Sequence, residues 1–106
     1  MAKRVVWTES AWIDLEAIAD FIARDSPYYA ASFVREIRSQ ARSLSRMSAR
    51  GRLVPEISDR QIRELFVQSY RLIYKTERSR VAILALVHGA RDLEALWAKN
   101  KTKLQG

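Results

Sequence analysis

Apolar residues recur along this chain with two different periods, and the change near Pro55 divides it into a helical half and a strand half. Lys3–Trp7 (KRVVW) is short, β-branched and aromatic, which is the composition of a strand. Thr8 follows as a hydroxyl N-cap, with Glu9 in the first turn where a helix dipole favours negative charge. From there Ala11, Leu15, Ile18 and Ile22 fall at helical spacing, while Ile13, Ala17 and Phe21 draw a second apolar line roughly opposite. The spacing predicts a helix over 9–23 covered on both sides, by a sheet on one and by a second helix or a partner on the other. Ser26-Pro27 restarts the pattern, as an N-cap serine followed by a proline whose missing N–H costs nothing at the first helical position. Ala30, Phe33, Val34, Ile37, Ala41 and Leu44 then form a narrow seam on a helix over 27–47, with Gly51 as its stop. Only Asp25-Ser26 separates the two helices, so they form an antiparallel hairpin.

Beyond Pro55 the period becomes two. Gln61–Val67, Tyr70–Thr76 and Arg80–His88 read as strands joined by short turns, hence as an antiparallel meander. In the second of these, Tyr70, Leu72 and Tyr74 share one face and Arg71, Ile73 and Lys75 the other. The last run is apolar on both faces, with Val81, Ile83, Ala85 and Val87 expected on one side and Ala82, Leu84 and Leu86 on the other. Such a strand is central and covered twice. Leu93, Leu96 and Trp97 suit a short terminal helix or turn, and Lys99–Gly106 a basic tail. The expected architecture is α+β in the order β-α-α-β-β-β, a helical hairpin packed on a small, mainly antiparallel sheet.

Length and composition narrow the chemistry. At 106 residues, 48% of them apolar, the chain is sized for a single domain spanning 1–106. No cysteine is present, which excludes disulfides, thiolate catalysis and cysteine-ligated metals. With a single histidine, His88, neither a metal site nor a cofactor is expected. The apolar runs are far shorter than the roughly 20 residues of a membrane span, and no secretory signal precedes the first strand, so a cytoplasmic protein without a membrane partner is expected. The formal net charge of +7 is concentrated locally: Arg38, Arg42, Arg46, Arg50 and Arg52 occur between Ile37 and Pro55 without one acidic residue. A stripe of that kind attracts nucleic acid, ribosomes or an acidic protein.

The three glycines make no phosphate-cradling loop, and no nucleophile elbow accompanies His88. What remains is metal-independent phosphodiester cleavage or pure binding. Cleavage needs a base, an acid and cations for the developing phosphorane charge, roles open to His88, Arg71 and Arg91. Binding has a candidate surface of its own. Helix 9–23 has more apolar faces than one small domain can cover, so part of Trp12, Ile13, Ala17, Phe21, Phe33 and Ile37 is expected to stay exposed as a groove. A partner helix would lie in it, and the Arg38, Arg42 and Arg46 stripe alongside favours an acidic one.

Several segments also stand in a familiar order: Ala11-x-x-Asp14-Leu15-x-x-Ile18-x-x-Phe21-Ile22, Asp25-Ser26-Pro27, Gly51-Arg52-x-Val54-Pro55-Glu56, Arg63-Glu64-Leu65, Tyr70-Arg71-Leu72-Ile73-Tyr74 and Val87-His88-Gly89-Ala90-Arg91-Asp92-Leu93. From Val5 to Trp97 the chain resembles the RelE/ParE superfamily of type II toxin–antitoxin toxins, often called plasmid stabilisation proteins. The resemblance implies the same β-α-α-β-β-β arrangement and a cognate antitoxin, acidic and with a helical C-terminal segment, through which alone operator DNA would be contacted. It also implies one of two activities. Members that cut mRNA on the ribosome carry lysines where this chain has Ile62 and Glu64, and a proton-transferring tyrosine where it has Trp97; Arg71 and Arg91 match. Indole has no proton to exchange at physiological pH, and a carboxylate repels phosphate. The Arg-Glu-Leu and His-Gly-Ala-Arg elements resemble instead the ParE branch, which poisons DNA gyrase. The expectation is a non-enzymatic gyrase poison whose target-contact candidates are Arg63, Glu64, Tyr70, Arg71, His88, Arg91 and Trp97. The alternatives are a ribosome-dependent endoribonuclease and a non-toxic antitoxin-binding co-repressor.

Overall fold

The computed structural model describes residues 2–90. Strand β1 (Arg4–Trp7) leads into helices α1 (Glu9–Ala23) and α2 (Pro27–Ser43), followed by β2 (Arg52–Leu53), β3 (Ile62–Val67), β4 (Tyr70–Thr76) and β5 (Arg80–His88). The five strands form one sheet in the order β1-β5-β4-β3-β2, antiparallel except where β1 pairs with β5. This is the α+β hairpin-on-sheet architecture that the periodicity predicts. The helix or turn expected at Leu93–Trp97 and the tail at 99–106 lie outside the described residues.

The helix starts follow their caps. Thr8 Oγ1 accepts from the Ala11 N–H at 3.2 Å and donates to the Ile83 carbonyl at 2.8 Å, so one hydroxyl starts α1 and ties it to β5. Ser26 Oγ accepts from the Tyr29 N–H at 3.1 Å and starts α2. The end of α2 corrects the sequence reading: the helix stops at Ser43, not near 47, and Gly51 does not terminate it. Leu44 is fully buried at the cap, and Ser45 leaves the helix axis to bond the Lys3 backbone, its carbonyl accepting and its hydroxyl donating, each at 2.7 Å. Gly51 serves a different purpose. Its N–H donates to Tyr74 Oη at 2.9 Å, and a Cβ there would lie 2.5 Å from the Glu64 carbonyl oxygen.

The sheet carries an apolar cluster on each face. Ala11, Leu15, Phe33, Ile37, Ala41 and Leu44 from the helices meet Leu65, Val67, Leu72, Tyr74, Val81, Ile83 and Leu86 on one side. Val54 and Ile57 cover Ile62, Ile73, Ala82, Leu84, Ala85 and Val87 on the other. Full burial of each large side chain is worth roughly 1.5–3 kcal/mol, so the doubly covered β5 is the strongest contributor to the core. Its alternation differs from the simple pattern. Tyr74 faces Ile83 while Ile73 faces Ala85, leaving Leu84 as the extra residue of a β-bulge. Ala85 and Val87 therefore join Ala82 and Leu84 on the far face, and Leu86 turns to the helices. Beyond the reach of β1, the outer edge of β5 is satisfied by α1: the Leu86 N–H donates to Asp14 Oδ2 at 3.0 Å.

Candidate functional site

Alternation along β3 sends Ile62, Glu64 and Phe66 to the far face and Leu65 and Val67 to the helices. Register places Arg52 opposite Glu64 and Phe66 opposite Arg71, so Glu64 lies between two arginines. Arg52 Nε reaches Glu64 Oε2 at 2.6 Å, and Arg71 Nη1 reaches Glu64 Oε1 at 3.2 Å and Glu56 Oε1 at 2.9 Å. The remaining donors of Arg71, Nε and Nη2, point to the Gly89 carbonyl at 3.3 and 3.1 Å. Glu64 is 1% exposed and Arg71 8%. The hydrogen bond to Glu56 raises the Arg71 pKa further above its ordinary value, against the opposing effect of burial, and the same bond lowers that of Glu56. Two cations and two anions balance here. Phe66, 53% exposed, stands over the network with the Arg52 and Arg71 guanidinium carbons 5.0 and 5.9 Å from its ring centroid.

Other sequence candidates lie elsewhere. Tyr70 and His88 pair across β4 and β5, their rings edge to face at 5.4 Å, and Tyr70 also meets Phe33 edge to face at 5.2 Å. Both therefore belong to the helix side of the sheet, while the neighbouring Arg71 points to the far side. His88 is exposed, and its Nδ1 accepts from the Ala90 N–H at 3.2 Å. Arg63 donates to the carbonyls of Gly51 and Ala49 at 2.7 and 3.4 Å, a tie to the loop before β2. Arg91 and Trp97 lie outside the described residues. The cation and proton-transfer candidates Arg71 and His88 are thus held on opposite faces of the sheet. Sequence reasoning missed Phe66, which the alternation with Glu64 could have found. It also missed Glu56, for which an irregular segment offers no period. Among the described residues no group of three or more His, Cys, Asp and Glu side chains could hold a metal, and no helix is long and apolar enough to cross a membrane.

The second surface is on α1. Ile13 (56% exposed), Ala17 and Phe21 (62%) line its outer face one turn apart, and Trp12 beside them stacks on Trp7 at 4.8 Å. Phe33 and Ile37, expected in this groove, are instead buried in the core. They sit on the seam that α2 turns to the sheet, where β3, β4 and β5 supply the contacts. Arg38, Arg42 and Arg46 are exposed, and among the described residues none has an acidic partner. Tyr28 and Tyr29 extend the exposed aromatic surface at the start of α2.

Residues 5–93 match the family model described as the ParE toxin of the type II toxin–antitoxin system parDE. The chain belongs to that family. Among curated relatives, this ParE-family chain is 36% identical over 89 residues to Toxin RelE2 of Caulobacter vibrioides, covering 83% of this chain and 97% of the relative. Among solved structures, it superimposes on the chromosomal ParDE toxin–antitoxin system from P. aeruginosa with a TM-score of 0.68. That match covers 82% of this chain and 96% of the other at 22% identity, a likeness of fold. The chain is a type II toxin–antitoxin toxin of the RelE/ParE superfamily. Its two candidate surfaces are the neutralised ion network beneath Phe66 and the apolar stripe of α1.

Proposed function

We propose that this toxin has no catalytic activity of its own, that it acts in the cytoplasm by binding DNA gyrase and stabilising gyrase-cleaved DNA, and that a cognate antitoxin silences it. The observation that carries this reading is the position of Arg71. A metal-independent ribonuclease needs a cation free to meet the developing phosphorane charge and a proton donor within reach of the same phosphate. Arg71 already donates to two carboxylates and a carbonyl, and His88 is on the other face of the sheet. Glu64 and Arg71 then support a protein-binding surface on the far face of the sheet, with Phe66 as its exposed aromatic; Arg63, Tyr70 and His88 on the helix side, with Arg91 and Trp97, are contact candidates separate from it. The antitoxin lays the apolar side of an acidic helix on Ile13, Ala17, Phe21 and Trp12, steered by Arg38, Arg42 and Arg46. Operator DNA is reached only through that antitoxin.

The test is a paired assay on the purified chain. Gyrase-dependent double-strand breaks in plasmid DNA, with ribosome-bound mRNA left intact, are the expected result. Cuts in ribosomal mRNA that disappear on changing His88 would transfer the assignment to the endoribonuclease. Neither activity, with antitoxin binding retained, would identify a non-toxic co-repressor.

A further inference from the structure

At the corner where β1 meets the end of α2, Lys3, Arg4, Val5, Arg42, Arg46 and Met47 line an open cavity of about 580 Å³. Its size falls within the roughly 300–1,000 Å³ of pockets that take small ligands or side chains. The corner is fixed from both sides. Ser45 is bonded twice to the Lys3 backbone, and Leu44 next to it is fully buried, so the two walls cannot drift apart independently. Val5 and Met47 are the apolar residues of its lining, and Met47 is exposed.

The charge of the rim is one-sided. Among the described residues no acidic side chain lines the cavity, and Arg4, Arg42 and Arg46 have no acidic partner. Lys3 is already committed, its ammonium donating to the Glu77 carbonyl at 2.8 Å. Among the described residues Arg52 is paired with Glu64, Arg71 with Glu56 and Glu64, and Arg80 with Glu77; the other arginines form no ion pair, and what sets Arg4, Arg42 and Arg46 apart is that they line one cavity. Arg42, in the last turn of α2, offsets the negative end of the helix dipole, but that accounts for one of the three charges. Arg4 and Arg46 remain, gathered at one concave site.

We infer that this cavity is a second anchoring site for the partner, taking a short acidic segment that places an apolar side chain between Val5 and Met47 and carboxylates against Arg4, Arg42 and Arg46. The inference rests on the antitoxin reading of the α1 stripe and adds a site to it. A second copy of this chain is disfavoured as occupant, because its net charge of +7 would bring basic surface onto basic surface. A nucleic-acid backbone would satisfy the arginines but has no apolar group for Val5 and Met47. An acidic peptide satisfies both. Its carboxylates would accelerate encounter, and its seated apolar residue would slow release.

The test uses the full chain and two probes, a cognate antitoxin and a fluorescent synthetic peptide Asp-Leu-Glu-Val-Asp. The cavity variant is Arg4→Glu with Arg46→Glu, and the control is Arg35→Glu with Arg78→Glu, exposed positions outside both the cavity and the Arg38, Arg42 and Arg46 stripe. Both should melt as the parent does. Peptide binding at low salt, read by anisotropy, should weaken by at least about tenfold in the cavity variant and much less in the control, and antitoxin release should accelerate in the same order. Equal weakening in the two variants, an antitoxin indifferent to the cavity variant, or a short DNA duplex that displaces the peptide through the same arginines would overturn the inference. Failure of the antitoxin reading looks different: the parent chain would not bind the antitoxin at all, whatever the peptide does.

Discussion

Glu64 and Arg71, diagonal to one another on β3 and β4, form an ion pair at 3.2 Å with almost no solvent access to either side chain. Breaking a buried pair from one side costs about 3–5 kcal/mol, because the surviving charge is stranded. Arg71→Met should come near the lower end, since Glu64 keeps Arg52. Urea denaturation measures it, and an unchanged midpoint would show that the network adds nothing to stability. Loss of toxicity in Arg71→Ala is therefore readable as loss of target contact only if the variant is shown to be folded.

The same network gives the protein an acid-sensitive stability. Glu56 titrates below its ordinary 4.5 in the folded chain, chiefly because Arg71 donates to it. A carboxyl depressed on folding contributes stability that is present above the unfolded value and lost as pH falls through the folded one. Unfolding free energy should decline as pH drops below about 4.5, and Glu56→Gln should flatten that decline. Parallel slopes for the two proteins would remove Glu56 from the account.

Tyr74 sets the alkaline limit. Burial raises its pKa above the ordinary 10.0, and its hydroxyl donates to the Ser48 carbonyl at 2.8 Å while accepting from Gly51. Stability is full below the unfolded value and is lost as pH rises through the raised one. Thermal melts above pH 10 should fall for the parent chain. Gly51→Ala should lower stability at every pH by about 1–3 kcal/mol, because the new methyl meets the Glu64 carbonyl and the Tyr74 hydroxyl.

Phe21 and Phe33 are both aromatic helix residues, yet they should behave in opposite ways. Phe33→Ala should destabilise by about 3–5 kcal/mol, since it opens a cavity between α2 and the sheet. Phe21→Asp, at an exposed position, should leave the melting curve nearly unchanged and greatly shorten the lifetime of the antitoxin complex. An unaltered lifetime would place the antitoxin elsewhere.

Leu84→Ala should cost about 2–5 kcal/mol, as for other fully buried leucines. The extra residue of the bulge sits in the far-face cluster, so differential scanning calorimetry on this variant also reports whether that second cluster bears weight.

Most of the fold was legible because its signals are local. Thr8 and Ser26-Pro27 announce the helices, and the alternation in Tyr70–Thr76 announces a strand. The bulge at Leu84 was not, since every residue from Val81 to Val87 is apolar and a shift of one position changes no hydrophobicity. The two-residue β2 is too short to have a period. An apolar residue does not say which neighbour covers it, so the sequence pattern alone does not separate Phe33 and Ile37 from the exposed stripe of α1. The ion network was hidden for a related reason: its members at 52, 56, 64 and 71 meet only when three strands and a loop are in register.

The pairing of β1 with β5 sets an order of events during synthesis. The first strand can find this partner only after Arg80 to Ile83 have been made, and among the described residues Arg4–Trp7 pairs with no other strand. Closing that long a loop is slow and comes late in assembly. The cap at Thr8, which needs the Ile83 carbonyl, waits with it. The nascent chain therefore spends most of its translation without the finished sheet on which both surfaces depend.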